Sequence, residues 1–299
     1  MANEYLVNSA DLTAVADAIR TKGGTSDTLA FPGGFVDAVG AIQAGGGGDD
    51  VKSIVDRSIA SLSLPEDLTS IGKYAFYECK NLTDISLPDS LKTIDAYAFS
   101  GCINLAINSL PAGVTTIGER AFNECRKLAL TSLPDGITTI GAYTFSNNFV
   151  LPLASLPDGI TSIGDWAFNC CGNITLSSLP SSLATLGQRA FIGCGSITVS
   201  KLPSGLTRIN QRAFEKCTGI TSLEIPASVT YIDVWCFSGC TGLTEVTFKG
   251  TPNTINGAYV FNGCNNLTTI NVPWAEGAVA GAPWGASNAT INYNYTGEA

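Results

Sequence analysis

The sequence of 299 residues contains no histidine. Histidine is the commonest general base in enzymes and a frequent metal ligand, so its absence removes the group that usually activates a serine or cysteine nucleophile. No acid pair recurs in a consistent setting, and the run "GGGG" at 45–48 lacks the lysine and hydroxyl residue of a phosphate-binding loop. We therefore expect a non-enzymatic protein without a cofactor.

Charged residues are scarce, at 14% of the chain against about a quarter in an average protein. Acidic residues number 25 and basic residues 16, and the formal charge of −9 disfavours nucleic acid or an anionic membrane as a partner. There is no run of about 18 apolar residues, so no membrane insertion is expected. The start, "MANEYLVNSADL", lacks the basic and apolar parts of a secretory leader, which predicts folding in a reducing cytoplasm unless a leader was removed.

The chain does contain a period of 23 residues. Proline recurs at this step from Pro65 to Pro226, and phenylalanine recurs from Phe76 to Phe237 before slipping by one to Phe261. One unit cannot bury its own apolar face, whereas stacked units share a continuous core. The predicted fold is an α/β repeat solenoid with 23-residue coils and short parallel strands.

Each coil is predicted to begin with a strand that its proline ends, because proline cannot donate to a strand ladder. Ten such strands, from Ile59 to Leu267, would stack at roughly 4.8 Å into a sheet on the order of 45 Å long. A second extended piece, such as "VTTIG", leads into a helical turn, such as "ERAFNEC". The apolar spacing at Leu82 differs from that at Leu128, which predicts a bulge or register difference in the middle coils.

The motifs "LPDGITTIGAYTF" and "LPDGITSIGDWAFNCC" resemble the BspA-type leucine-rich repeat over roughly residues 59–272. The resemblance implies a curved, right-handed leucine-rich-repeat superhelix that serves binding. Such arrays are common in bacterial surface proteins and in proteins of gut bacteria and their phages. The family has no single ligand.

Cysteines occupy one column of the repeat. They are Cys79, Cys102, Cys125, Cys171, Cys194, Cys217 and Cys240, with Asn148 in the fourth place and Cys264 after the slip. Neighbouring coils lie within disulfide range, but a reducing compartment and the asparagine favour buried thiols. Because zinc needs four ligands that converge on one ion and these residues lie along a line, we expect no metal site.

Two residues before each phenylalanine stands an aromatic residue or an arginine. This column, called the stripe below, consists of Tyr74, Tyr97, Arg120, Tyr143, Trp166, Arg189, Arg212, Trp235 and Tyr259. Residues two apart in a helical turn point about 200° from each other, so the stripe faces outward if the phenylalanines face inward. These residue types are enriched at binding hot spots, which makes the stripe a candidate contact for a bacterial surface protein or glycan. The alternative is that its members only stack on one another and cover the edge of the core.

A second candidate surface is the solvent side of the main sheet, where small hydroxyl residues would form a flat surface for a partner. Its column consists of Ser86, Ser109, Ser132, Ser155 and Ser178, followed by Lys201 and Glu224. The same residues are also typical of an ordinary soluble sheet face, and both interpretations stay open at this point.

The two ends depart from the period. Residues 1–44 predict a small helical module, which buries too little to be stable alone and should dock on a partner or on its own copies. It resembles a module at the start of tail-associated proteins of phages that infect Gram-positive bacteria. Residues 45–50 predict a glycine-rich linker to the repeats at 51–272, and residues 273–299 predict a cap in which Trp274 and Trp284 shield the last coil.

The two resemblances together imply a bacteriophage tail or fibre protein that is made in the host cytoplasm and incorporated in the virion. Residues 1–44 would bind other tail proteins, and the solenoid would face a bacterial surface. The alternative is a bacterial cell-surface or secreted adhesin that binds proteins with the same array. Fibres are often trimeric, so a homo-oligomer is also considered, although the array needs no partner copy.

Overall fold

The computed structural model describes residues 57–64 and 66–297. The predicted helical module at 1–44, the linker at 45–50 and the first residues of the repeat region lie outside the described residues. Within them the chain forms a solenoid of about 10 turns. Residues one coil apart pair directly, as Ser61 does with Asp84 and Thr93 does with Thr116. The predicted 23-residue coil is therefore confirmed.

The described residues form short strands, most of them with one buried residue flanked by exposed or half-buried ones. In chain order they are β1 (Ser61–Ser63), β2 (Ser70–Ile71), β3 (Asp84–Ser86), β4 (Thr93–Ile94), β5 (Thr116–Ile117), β6 (Thr139–Ile140), β7 (Ser162–Ile163), β8 (Thr185–Leu186), β9 (Arg208–Ile209), β10 (Ser222–Ile225), β11 (Tyr231–Ile232), β12 (Glu245–Phe248), β13 (Thr254–Ile255), β14 (Thr269–Asn271) and β15 (Thr290–Asn292). This alternation is what a half-buried strand requires.

The strands pair in parallel along two columns of the solenoid. The main sheet contains β1–β3 near the start and β10–β12–β14–β15 near the end. The second column contains β2–β4–β5, β6–β7–β8 and β9–β11–β13, in which each coil contributes two residues. The predicted second extended piece, as in "VTTIG", corresponds to this column.

The main sheet is not the continuous ten-stranded ladder that the period predicts. Between β3 and β10 the main sheet has no regular strands. Single hydrogen bonds still join these coils, such as the one from the N–H of Ala129 to the carbonyl of Ile107 at 3.0 Å, and the isolated bridge between Lys201 and Glu224 precedes β10. There the buried Ile107 is followed by two exposed residues, Asn108 and Ser109, so the alternation of a regular strand is lost. These are the middle coils for which the sequence predicts a bulge or register difference.

The segment around each phenylalanine is a run of turns and not the predicted helical turn, and no α-helix occurs in the part of the chain that the structure describes. Tyr97 and Gly101 have left-handed φ values of 59° and 80°, which a right-handed helix excludes. The N–H of Phe99 donates to the carbonyl of Ala121 in the next coil at 2.8 Å, whereas the N–H of Ser100 turns back to Tyr97 at 3.1 Å. Alternate donors thus join neighbouring coils, which a helix would not permit.

The core is a continuous stack of phenylalanine rings. Every ring from Phe76 to Phe261 in this column is buried, and neighbouring centroids lie 5.2 to 5.8 Å apart with nearly parallel planes. Burial of one such side chain contributes about 1.5–3 kcal/mol. Because each ring covers the next, a coil is stable only between its neighbours.

Residues 273–297 cover the last coil. Trp284 is fully buried, donates from its indole N–H to the carbonyl of Ala280 at 2.8 Å and accepts from the N–H of Phe261 at 3.0 Å. The ring of Trp274 meets Phe248 edge-on at 5.2 Å. Since both indoles are buried, neither offers a ring face to a sugar. The described part of the chain contains no helix able to cross a membrane.

Candidate binding stripe

The stripe lies along one flank of the solenoid, where the backbone is left-handed. Eight of its nine members have φ values between 55° and 62°, and the same eight are half-buried. The N–H of Arg120, for example, donates to the carbonyl of Ala142 in the next coil at 3.0 Å. The side chains point away from the buried phenylalanines, as expected, but the cause is a left-handed turn and not a helical one.

The first part of the stripe is a continuous stack of rings. Tyr74 stacks on Tyr97 at 4.7 Å, and the guanidinium of Arg120 lies 5.3 Å from the Tyr97 ring and 4.3 Å from that of Tyr143. Arg120 also donates to the Tyr97 hydroxyl. Tyr143 in turn stacks on Trp166 at 5.7 Å. These contacts cover the ring faces, so a partner meets mainly the ring edges and polar ends.

The second part of the stripe is a separate stack. Arg212 lies 4.6 Å from the Trp235 ring, and Trp235 stacks on Tyr259 at 5.5 Å. Arg189 instead packs on the preceding coil, with its guanidinium 4.4 Å from the centre of the Trp166 ring. Tyr259 is 50% exposed, which makes it the most open member of the stripe.

The serine column of the main sheet faces solvent. Ser86, Ser109, Ser132, Ser155 and Ser178 are all exposed. At its far end the carboxylate of Glu224 lies between Lys201, at 3.7 Å, and Lys249, at 3.4 Å. Exposed ion pairs of this kind contribute little stability, and the two lysines offset the charge of Glu224.

A cleft of about 430 Å³ opens where the main sheet is interrupted. It lies between β3 and the following coil, with Asp84, Asp89, Asn108 and Ser109 in its lining. Sequence reasoning missed this cleft. The available signal was the change of apolar spacing between these two coils.

The cysteine column is a set of buried hydrogen-bond donors. All ten cysteines are free, and the thiol of Cys102 donates to the carbonyl of Phe76 at 2.9 Å. Burial raises the pKa of the Cys79 thiol to about 11 and that of Cys171 to about 12, because a thiolate is poorly solvated there. Among residues 57–64 and 66–297, no group of three or more cysteine, aspartate or glutamate side chains is placed to hold a metal ion.

An exposed apolar pair, also missed from the sequence, stands beside the cysteine column. Phe149 and Val150 are 48% and 45% exposed, directly after Asn148. Other coils carry mostly polar residues or glycine at this corner, so the irregular coil was the available signal.

The family description "BspA type Leucine rich repeat region" matches the chain in six copies over residues 55–175 and 161–276. These residues make up more than half of the chain. The chain belongs to the BspA-type leucine-rich repeat family. The matched region begins at residue 55, so the phage-tail resemblance of residues 1–44 gains no support from it.

This BspA-type protein shares its fold with a solved leucine-rich-repeat protein. A leucine-rich repeat protein from Bacteroides ovatus is 24% identical, with 80% of this chain and 75% of that chain covered and a TM-score of 0.57. A leucine rich cell surface protein from Faecalibacterium prausnitzii is 25% identical, with 78% and 69% covered and a TM-score of 0.49. No curated protein matches the chain.

Proposed function

We propose that this BspA-type protein is a non-enzymatic binding protein of a bacterial cell surface or secretome, which contacts a partner through the stripe. The observation that carries the proposal is the unbroken run of partly exposed aromatic and arginine side chains in successive coils. Tyrosine, tryptophan and arginine combine a large contact area with a polar end, and their mutual stacking fixes them before a partner arrives.

Chemistry at the thiols is disfavoured by their setting. The column cysteines are buried, and desolvation raises the pKa of most of them, so little thiolate forms near neutral pH. The same thiols donate to main-chain carbonyls, which gives them a structural role. A binding function uses the outside of the solenoid and leaves this column intact.

The test compares the full chain with a stripe variant, Tyr143→Ala, Trp166→Ala and Arg189→Ala combined. Labelled protein would be applied to a panel of fixed Gram-positive gut bacteria and to a mucin-coated surface. The control variant replaces Ser132, Ser155 and Ser178 with alanine on the opposite candidate surface. We expect the stripe variant to lose at least about tenfold in binding and the control to bind as the parent does.

Circular dichroism and the melting temperature would establish that both variants are folded. Undiminished binding by a folded stripe variant would overturn the proposal. Loss of binding only in the serine variant would assign the contact to the main sheet instead.

A phage tail protein is the second candidate. The motifs "ADAIRTKGG" and "LAFPGGF" in residues 1–44 favour it through their resemblance to tail-associated proteins. In that case the partner is a bacterial surface protein or glycan, and residues 1–44 bind other tail proteins or further copies of the chain. Tail genes beside the coding sequence would support this candidate, whereas a sortase or secretion gene cluster would support the adhesin.

A further inference from the structure

The stacking of neighbouring side chains in the stripe is interrupted at one place in its described length, between Arg189 and Arg212. Each guanidinium ends a stack, since Arg189 packs on Trp166 and Arg212 packs on Trp235. By contrast, the guanidinium of Arg120 lies between the rings of Tyr97 and Tyr143 and contacts both. The interruption therefore leaves two arginines in neighbouring coils with no ring between them.

The two arginines belong to adjacent coils but lean apart. The N–H of Arg189 donates to the carbonyl of Gln211, the residue before Arg212, at 2.9 Å. Phenylalanine centroids in these coils are 5.3 to 5.6 Å apart, and the two tryptophans stand three coils from each other. Each guanidinium lies beside its own tryptophan, at 4.4 Å for Arg189 and 4.6 Å for Arg212, so the two cations lean in opposite directions along the stripe. Like charges favour such a separation, and it leaves a gap between them.

Not all guanidinium N–H groups of Arg189 and Arg212 have a hydrogen-bond acceptor among the described residues. Arg212 pairs with Glu215 through Nη1 at 3.1 Å, and its Nε is buried without an acceptor in the described structure, so only its Nη2 is left for a partner. The guanidinium of Arg189 makes its ring contact with Trp166, and within residues 57–64 and 66–297 it has no hydrogen bond or ion pair. Asp165, which precedes Trp166 in the chain, accepts hydrogen bonds from both the backbone N–H and the side-chain amide of Gln188.

We propose that the gap between Arg189 and Arg212 binds a carboxylate carried by an aspartate or glutamate of a protein partner. A carboxylate accepts two parallel hydrogen bonds from a guanidinium such as that of Arg189, and a negative group placed between the two arginines relieves the repulsion between their charges. Stacking on Trp166 and Trp235 holds the guanidinium groups of Arg189 and Arg212 in place before binding, which reduces the entropy lost on association.

An acidic peptide fits the gap better than an acidic glycan. Sugars are held by stacking on open aromatic faces, but Trp166 lies between Tyr143 and Arg189, and Trp235 lies between Arg212 and Tyr259. The stripe thus offers ring edges and charge at this position. This assignment rests on the proposed function, because it names the group that a partner would place on the stripe.

The experiment is calorimetric titration of the full chain with a blocked hexaglutamate peptide at low salt, with oligogalacturonate and hexaglutamine as further probes. We expect hexaglutamate to bind, with affinity that falls as salt rises. Arg189→Gln should weaken hexaglutamate binding by at least about tenfold. Arg189→Lys should retain part of the affinity because it keeps the positive charge, and should lose the rest because an ammonium group cannot form two parallel hydrogen bonds to a carboxylate. Arg208→Gln is the matched control, since Arg208 also lies over a ring, Tyr231, but already pairs with Asp233 at 3.0 Å.

Equal affinity of the parent and Arg189→Gln for hexaglutamate would overturn the site, as would the absence of binding. Binding of oligogalacturonate without hexaglutamate would overturn the assignment to a protein partner. The two proposals fail separately. Stripe-dependent attachment to cells or mucin without peptide binding removes only the carboxylate site, whereas peptide binding without any surface attachment removes the proposed function.

Discussion

The thiol of Cys125 donates a hydrogen bond to the carbonyl oxygen of Phe99, 26 residues earlier in the chain, at 3.1 Å. The same carbonyl accepts the N–H of Cys102 in its own coil at 3.0 Å. The bond from a thiol to a phenylalanine carbonyl of the preceding coil recurs for Cys102, Cys171, Cys194, Cys217, Cys240 and Cys264. One phenylalanine carbonyl thus joins two coils, and the cysteine is a small buried donor that fits between them.

Cysteine reactivity should follow burial. Cys170 is half-exposed and outside the column, whereas Cys125 is fully buried. We expect iodoacetamide at pH 8 to alkylate Cys170 well before Cys125, because the reagent reaches buried thiols only through unfolding. Peptide mass spectrometry after timed quenching would measure the rates. All ten thiols should react alike in denaturant, and equal native rates for the two residues would contradict the prediction.

Stability should decrease at alkaline pH. Burial raises the pKa of Cys79 to about 11 and that of Cys171 to about 12, from 9.0 for a free thiol. Above pH 9 the unfolded chain releases these protons first, so the free energy of unfolding falls as pH rises from about 9 towards 12 and does not change for this reason below 9. Urea midpoints at pH 8 and pH 10.5 would show the drop. The variant Cys79→Ser should show a smaller drop, and a parent midpoint that stays constant would refute the mechanism.

Asn148 should be a weak point of the column. Its side-chain N–H groups donate to the carbonyls of Phe122 and Phe145 at 2.8 and 2.7 Å, but its Oδ1 is buried without a partner. Asn148→Cys removes that unsatisfied acceptor, which should raise the free energy of unfolding by about 1 kcal/mol. Asn148→Asp loses both donors and buries a carboxyl, which should lower it by about 3 kcal/mol or more. Urea unfolding would measure both, and an aspartate variant as stable as the parent would contradict this account.

Two neighbouring phenylalanines should differ sharply in their contribution to stability. Phe145 is fully buried between Phe122 and Phe168, whereas Phe149 is 48% exposed. Phe145→Ala should lower the free energy of unfolding by about 3–5 kcal/mol, and Phe149→Ala should change it by no more than about 0.5 kcal/mol. Thermal or urea unfolding of the pair would test this. Similar losses in both variants would refute the stacked core.

Sequence reasoning found the stripe because an aromatic residue or an arginine, such as Tyr97 or Trp166, occupies the same position in every coil. It assigned the wrong local structure to them, since a run such as "ERAFNEC" has no proline or glycine to warn of a left-handed turn. In the structure the turn is held by hydrogen bonds to the next coil, such as Phe99 N–H to Ala121, which local propensity does not contain. The spacing at Leu128 predicted a bulge or register difference in the middle coils, but neither the interruption of the main sheet nor the cleft beside Asn108 was predicted.

The sequence by itself determined the coil length, the residues that face the core and the column that faces outward. Each of these repeats every 23 residues, because every coil must bury the same face against the same neighbour. Only the tertiary structure decided that Arg189 leans towards Trp166 while Arg212 leans towards Trp235. That choice depends on which side chain the adjacent coil presents and on the repulsion between two cations, and both act between residues that are distant in the chain.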